Sequence, residues 1–339
     1  MKTFAIVHRN IYLKVLCDVE FENVIKQHLL GSVKINSIIT RVPTYTLVVT
    51  NSPYSTTGIY HQMIDRWFNY STLDCWIDNT KKLCCISNFR ADCVANRDLT
   101  IQYFVSNLFN RLLELNGYIG IHSSCVEKNG HGIMFIGNRL SGKTTCMLTL
   151  LNNGFNLVNN DTAAIKFLDN INQLDAFGIT KNIFIRMSKA FAHQSINKKY
   201  LNLAKRQNVC FDDDIQLEKN RIVITPLDLI KLNNVELTPS INIDIVIVPR
   251  YNPNLSTIKF ILLNNQFCSQ FFASQIMPLV HDTTSFLSDI AISHQKLNSN
   301  QDCICQLAKL PCYLCEYNEN TLENLEYALQ NIIGSKKSI

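Results

Sequence analysis

The densest chemistry in the chain lies in eight consecutive residues, Gly137-Asn138-Arg139-Leu140-Ser141-Gly142-Lys143-Thr144. The pattern is G-x-x-x-x-G-K-[ST], and each part has a physical role in a phosphate cradle. Two glycines let the loop curl until successive N–H groups converge on phosphate oxygens, Lys143 brings a cation to the β/γ-phosphates, and the Thr144 hydroxyl ligates Mg²⁺. A helix opening at Lys143 adds its N-terminal dipole. The expected nucleotide-contacting set is therefore Gly137, Asn138, Arg139, Leu140, Ser141, Gly142, Lys143, Thr144 and Thr145. At average residue frequencies such a pattern arises by chance in about one in a hundred chains of this length. This chain has only 11 Gly, and seven of them fall within 38 consecutive residues, 117–154. Backbone permissiveness is concentrated around the loop.

Such a loop works only between a strand and a helix, and both are legible. Ile133 to Ile136 reads as a buried strand and Thr145 to Leu151 as a helix,. Upstream, Ile121 to Glu127 is strand-like and Asn129-Gly130 is a strong short-range hairpin signal,. The strand feeding the loop is thus predicted to be the second arm of an antiparallel hairpin. In the commoner phosphate-loop folds the surrounding sheet is parallel and reached by crossover helices. A hairpin here argues for a different fold carrying the same loop.

His122, Gly130, Gly132, Gly137, Gly142, Lys143 and Thr144, followed by Gly154-Phe155-Asn156-Leu157-Val158-Asn159-Asn160-Asp161, resemble the HPr kinase/phosphorylase group in residue type and interval. They also resemble its wider set of HPr-kinase-like proteins, some of which phosphorylate ribosomally made peptides such as lasso-peptide precursors. The close match covers residues 122–161. More weakly, Ile243 to Arg250 resembles a late strand of the group, and Leu310 through Leu325 its C-terminal strand and helix. The resemblance implies a phosphoenolpyruvate carboxykinase-type P-loop domain with a mixed sheet, ATP (or GTP) and Mg²⁺ as cofactors, and a peptide or small-protein substrate phosphorylated on a Ser/Thr hydroxyl. Carried over by position, it implies that Lys143 contacts the phosphates, that Thr144 and Asp161 hold Mg²⁺, and that His122 sits beside the transferred phosphoryl.

One departure from the family pattern matters. HPr kinases carry two consecutive aspartates at this strand end, the first acting as base toward the acceptor hydroxyl, whereas this chain reads Asn160-Asp161. An asparagine cannot take a proton. A general base typically contributes about 10²–10⁴-fold, but phosphoryl transfer depends chiefly on positioning and charge stabilisation. Asn160 would then orient the acceptor while Asp161 or His122 takes the proton. The alternatives are a nucleotide-binding module that controls a partner without transfer, and a small-molecule kinase. Further cations are expected at Arg139, inside the loop, and at Arg186, Arg221 and Arg250, which read by type as surface or salt-bridged residues. Asp212-Asp213-Asp214 reads as a solvated loop, His131 as a solvated turn residue, and Phe177, Phe184 and Met187 as core.

Around this centre the chain divides into a small α+β domain, 1–97, and a main α/β (α+β) nucleotide-binding domain, 98–339. Short β-rich runs at Phe4 to Val7, Ile11 to Leu16, Ser32 to Ile39, Tyr45 to Val49 and Lys82 to Phe89, with a helix over Val19 to Leu29, make up the first part,. Apolar residues at helical spacing from Leu99 to Asn116 open the second, and a β-branched strand over Ile241 to Val248 is expected to stop at Pro249,. Helices are read at Ser269 to Val280, Ser285 to His294 and Thr321 to Ile333.

The 339 residues are 47% hydrophobic and 17% charged, which excludes disorder,. A balance of 32 basic against 27 acidic residues, with no long basic run, gives no nucleic-acid footprint,. Apolar stretches fall short of the roughly 20 residues a membrane helix needs, and the N-terminus does not read as a signal peptide, so the expected setting is cytoplasmic, with no membrane partner. Homo-oligomerisation is left open. The 13 Cys are read as reduced thiols packed as small hydrophobes,. Cys303, Cys305, Cys312 and Cys315 are the one grouping with metal-like spacing.

Overall fold

The computed structural model describes the chain apart from residues 30–32, 37–41, 53–56, 66–70, 170, 179–180, 187–197, 210–220, 281, 291–299 and 335–339. The fold is α+β, with mixed sheets in two compact units. One unit is Met1–Gly120 with Pro278–Ser299; the other is Ile121–Met277 with Asn300–Ile339.

The first unit is built on a seven-stranded sheet in the order Lys34–Asn36, Lys2–His8, Ile11–Cys17, Tyr45–Val49, Leu83–Arg90, Ser71–Asp78, Ile59–Asp65. Its two central steps are parallel and its flanks are antiparallel. Helix Val19–Leu29 buries Phe21, Ile25 and Leu29, one residue per turn on one face,. The strands at 59–65 and 71–78 escape the sequence pattern. Asp74 and Asp78 are buried in the second of them, and Asp74 accepts hydrogen bonds from Tyr60 Oη at 2.9 Å and Asn88 Nδ2 at 2.7 Å. Satisfied buried carboxylates hide a strand's apolar period.

The division expected at residue 97 falls instead at Gly120. The amphipathic helix runs from Val94 to Leu115 and buries Ile101, Phe104, Val105, Leu108, Phe109, Leu112 and Leu113. That face packs on helix Val19–Leu29 and on strands of the first sheet, so the helix belongs with the N-terminal unit. Residues 282–289, expected as a helix from 285, form a 3₁₀ segment, and the rest of that expected helix, 291–294, lies outside the described residues. Among the described residues no helix is long and apolar enough to cross a membrane.

The second unit holds a nine-stranded sheet. Its main path is Asn156–Asn159, Ile119–Lys128, Thr162–Leu168, Gln173–Phe177, Ser240–Tyr251, Cys312–Tyr317, Lys259–Leu262. The strand His131–Ile136 pairs antiparallel with Ile119–Lys128 and parallel with Ser240–Tyr251. Five strands therefore pair in a closed circuit. The predicted hairpin is present, with register Ser123↔Ile136 through Lys128↔His131. Asn129 and Gly130 turn it with φ of 55° and 81°, the left-handed pair that matches strand twist,. The strand Ser240–Tyr251 continues through Pro249, because its pairing with the loop strand ends at Ile247. A stretch with one neighbour tolerates a missing N–H.

Two further expected helices are redrawn. The one read at 269–280 is Asn265–Ala273, capped by the Asn264 side chain on the Phe267 N–H at 2.8 Å, and it is followed by the short strand Ile276–Met277. The C-terminal one begins as a 3₁₀ turn, Leu322–Asn324, and continues as an α-helix from Leu325 to Gly334. The helix of the phosphate loop, Lys143–Asn152, buries Cys146, Met147, Leu148, Leu150 and Leu151 against Phe135, Ile245 and Ile247 of the sheet, which anchors the loop from behind.

Candidate functional site

The loop bends where its residue types permit. Gly142 adopts φ +100° at the helix N-cap, and a Cβ there would stand 1.7 Å from Tyr317 Oη. Both backbone and space demand glycine. Gly137 is closed by Ser141, whose Oγ would lie 2.5 Å from an added Cβ. Leu140 also holds a positive φ, 72°, and is exposed with Asn138 and Arg139 at the loop tip. The first-turn amides of a helix have no intrahelical acceptor, and here they open on the cleft that Gly142, Lys143, Thr144 and Thr145 line,.

Lys143 is buried, and its Nζ donates to the carbonyls of Gly137 at 2.6 Å and Asn138 at 3.0 Å. Burial lowers its pKa from 10.5 to about 8, with Asp161 pulling the other way,. His122 is placed by two backbone bonds: its own N–H donates to Gln275 O at 3.0 Å, and the next N–H, of Ser123, donates to Asp161 O at 3.0 Å. Nε2 of His122 then stands 3.8 Å from Asp161 Oδ1. Burial, with the charges of Lys143 and Lys181, lowers the His122 pKa below 6.5 against the opposing effect of Asp161. The imidazole is neutral near pH 7.

The half-exposed Asp161 carboxylate is pushed upward by burial. The Lys181 charge, His122, and hydrogen bonds from Lys181 and Thr162 outweigh that and hold its pKa below 3.8. Lys181 bridges the strand end: its Nζ lies 3.4 Å from Asp161 Oδ2, and its backbone N–H donates to Asn160 Oδ1 at 3.1 Å. No motif marks Lys181 in the sequence. It lies 20 residues beyond Asp161 and is brought back by the strand pair Thr162–Leu168 and Gln173–Phe177.

His122, Lys143 and Asp161 share one cleft of about 340 Å³, lined also by Arg139, Leu140 and Thr144 among others. Asn160, Phe184, Arg186 and Arg221 complete its rim. Phe184, read by type as core, is 58% exposed, because on strand Ile183–Arg186 the buried positions are Ile183 and Ile185. Arg250 stands apart, held by Glu316 Oε1 at 3.0 Å from Nε. His131 is not a free turn residue: Nδ1 lies 3.3 Å from Asp244 Oδ2. Met187 and Asp212-Asp213-Asp214 lie outside the described residues.

No protein-family model and no curated protein matches the chain. Among solved structures it is similar to the Hpr(Ser) kinase/phosphatase from Coxiella burnetii, with 13% identity over 64% of this chain and 95% of that one, at a TM-score of 0.29.

The donor set suits a hard cation only in company. Among the described residues no three His, Cys, Asp or Glu side chains gather to hold a metal. Thr144 and Asp161 offer two oxygen ligands on the cleft wall, the number typical of Mg²⁺ sites completed by phosphates and water,. The cysteines do not assemble. Cys303 donates to Ile165 O at 3.8 Å, Cys312 and Cys315 are buried, and Cys305 is exposed. Burial raises the Cys303 and Cys315 thiols to about 12, which keeps them protonated,.

Proposed function

We propose that the protein is a nucleotide-dependent phosphotransferase, moving the γ-phosphoryl of ATP or GTP to a Ser or Thr hydroxyl of a peptide or small protein. The observation that carries this reading is that His122, Lys143, Thr144, Asn160 and Asp161, from separate elements, line one cleft. Loop amides and Lys143 would take the nucleotide phosphates, Lys143 exchanging its two carbonyl acceptors for phosphate oxygens,. Thr144 and Asp161 would hold Mg²⁺, which when bound neutralises charge on the β- and γ-oxygens. As the acceptor oxygen bonds to the γ-phosphorus and the bridging P–O bond breaks, the hydroxyl proton passes to neutral His122. Asp161, 3.8 Å away, then stabilises the imidazolium. Asn160 orients the acceptor. The acceptor class and a cytoplasmic setting belong to this proposal and rest on the sequence.

The test is to incubate the full chain with ATP, Mg²⁺ and Ser/Thr peptides and weigh the peptides. Addition of one phosphoryl group, lost in Lys143→Ala, is expected. No added mass, with Lys143→Ala indistinguishable from wild type, contradicts the reading.

A second reading has its own observation. Asn160 cannot act as a base, and its Oδ1 already accepts the Lys181 N–H,. A nucleotide-binding module that controls a partner would need no base. Asn160→Asp separates the two: a transferase changes rate, whereas a pure binder gains no turnover.

A further inference from the structure

Strands Ile183–Arg186 and Arg221–Ile224 form a two-stranded ribbon outside the nine-stranded sheet. Ile183, Ile185, Ile222 and Ile224 are buried in the core of the second unit. Strand alternation therefore turns Phe184 and Arg186, with Arg221 and Val223, to the opposite face,. In register, Arg186 is paired with Arg221. Like charges directly opposite each other destabilise a strand pair, and both residues line the cleft together with Arg139 of the phosphate loop.

Nothing among the described residues neutralises them. Neither Arg186 nor Arg221 has a carboxylate partner there, and Arg186 Nη1 and Arg221 Nε are buried with no hydrogen-bond acceptor. Arg250, by contrast, is matched by Glu316. The pKa of Arg186 is drawn down first by burial and then by the charges of Arg221 and Arg139, so all three guanidinium groups share one field. Two cross-strand guanidiniums with idle donors, facing a third on a phosphate-binding loop, match the forked recognition of a tetrahedral oxyanion.

We infer that Arg139, Arg186 and Arg221 form a guanidinium clamp for a phosphoryl-type oxyanion, separate from the amide cradle of the loop. The inference rests on the proposed phosphotransferase reading for the origin of the anion. That origin is either the terminal phosphoryl of the nucleotide or an anionic group carried by the acceptor. In both cases two of its three guanidiniums, those of Arg186 and Arg221, come from strands outside the phosphate-binding motif.

The experiment titrates Mg²⁺–ADP, the non-hydrolysable imido analogue of ATP with Mg²⁺, and inorganic phosphate into wild type, Arg186→Gln and Arg221→Gln. Unliganded thermal unfolding confirms that each variant is folded, and Arg186→Lys, which keeps charge but loses the fork, replaces any that is not. If the clamp holds the terminal phosphoryl, each variant loses roughly tenfold or more in analogue affinity while ADP affinity stays within about twofold. If it serves the acceptor, nucleotide affinities hold, and inorganic phosphate binds the analogue-loaded wild type but not the variants. Either result supports the clamp. Variants that match wild type for all three ligands overturn it. Should the nucleotide reading itself fail, wild type binds neither nucleotide, yet arginine-dependent binding of inorganic phosphate still reports the clamp. Nucleotide binding that needs Lys143, with both nucleotide and inorganic phosphate binding indifferent to the two arginines, refutes the clamp alone.

Discussion

Lys181 ties the two residues of the strand end together: its ammonium lies 3.4 Å from Asp161 Oδ2, and its backbone N–H donates to Asn160 Oδ1. One residue thus sets the charge on Asp161 and the direction of the Asn160 amide. With asparagine at position 160 the strand end carries one carboxylate, that of Asp161, and the neighbouring lysine makes its surroundings more cationic. The site is arranged to receive anions, with Asp161 as its single carboxylate among the cleft-lining residues.

Replacing Lys181 with Met removes the largest influence holding the Asp161 pKa down. The Asp161 pKa should rise in Lys181→Met, read from the carboxyl ¹³C shift across a pH titration. A carboxylate that titrates as in wild type would show that the Lys181 contact is not kept in solution.

The pH dependence of kcat/KM follows from two depressed pKa values. In the proposed transfer His122 accepts a proton only when neutral, and its pKa lies below 6.5; Lys143 holds phosphate only when charged, and its pKa is about 8. The profile expected for the proposed phosphotransferase is a bell, with its acid limb below pH 6.5 and its alkaline limb near pH 8,. His122→Asn should lower the plateau and abolish the acid limb. An acid limb unchanged in that variant would assign the proton to another group.

Burying the Lys143 charge has a cost in stability. Its folded pKa lies below the unfolded value of 10.5, so the cost is fully present below about pH 8 and fades as pH rises from there to 10.5,. Lys143→Met should therefore stabilise the unliganded protein by about 1–3 kcal/mol near pH 7, less whatever is lost at the Gly137 and Asn138 carbonyls. Urea unfolding at neutral and alkaline pH checks the sign. The gap between variant and wild type should narrow toward pH 10.5, and a widening gap would refute the argument.

Gly142→Ala meets two obstacles at once, φ +100° and Tyr317 Oη at 1.7 Å from the new Cβ. Strain of this kind costs about 1–3 kcal/mol, so thermal unfolding should shift down and nucleotide binding should weaken. Adding Tyr317→Phe removes the nearest atom and should restore part of the stability while leaving the strained φ. Full restoration would show that space, rather than backbone, sets the requirement.

The parts of this site that sequence makes legible are the local ones. Asn129-Gly130 announces its turn, the loop its cradle, and Ile133 to Ile136 its buried strand, because each depends on neighbours a few residues away. Lys181, Arg186 and Arg221 escape because their placement depends on pairing between distant strands, which no spacing records. Phe184 misleads by type: an aromatic between two isoleucines reads as core until alternation puts it on the open face. The helix Val94–Leu115 is plain from its period, but its allegiance to the first unit is decided by what it packs against. Tyr317, which closes the space behind Gly142, comes from the far end of the chain and carries no local sign of that role.

Calorimetric titration of the full chain with ATP and Mg²⁺, alongside Lys143→Ala, tests the central claim most directly. Wild type should show a single saturable event that Lys143→Ala loses by roughly tenfold or more. Equal heats and equal affinity in the two proteins, or no binding by wild type, would contradict a phosphate cradle at residues 137–144.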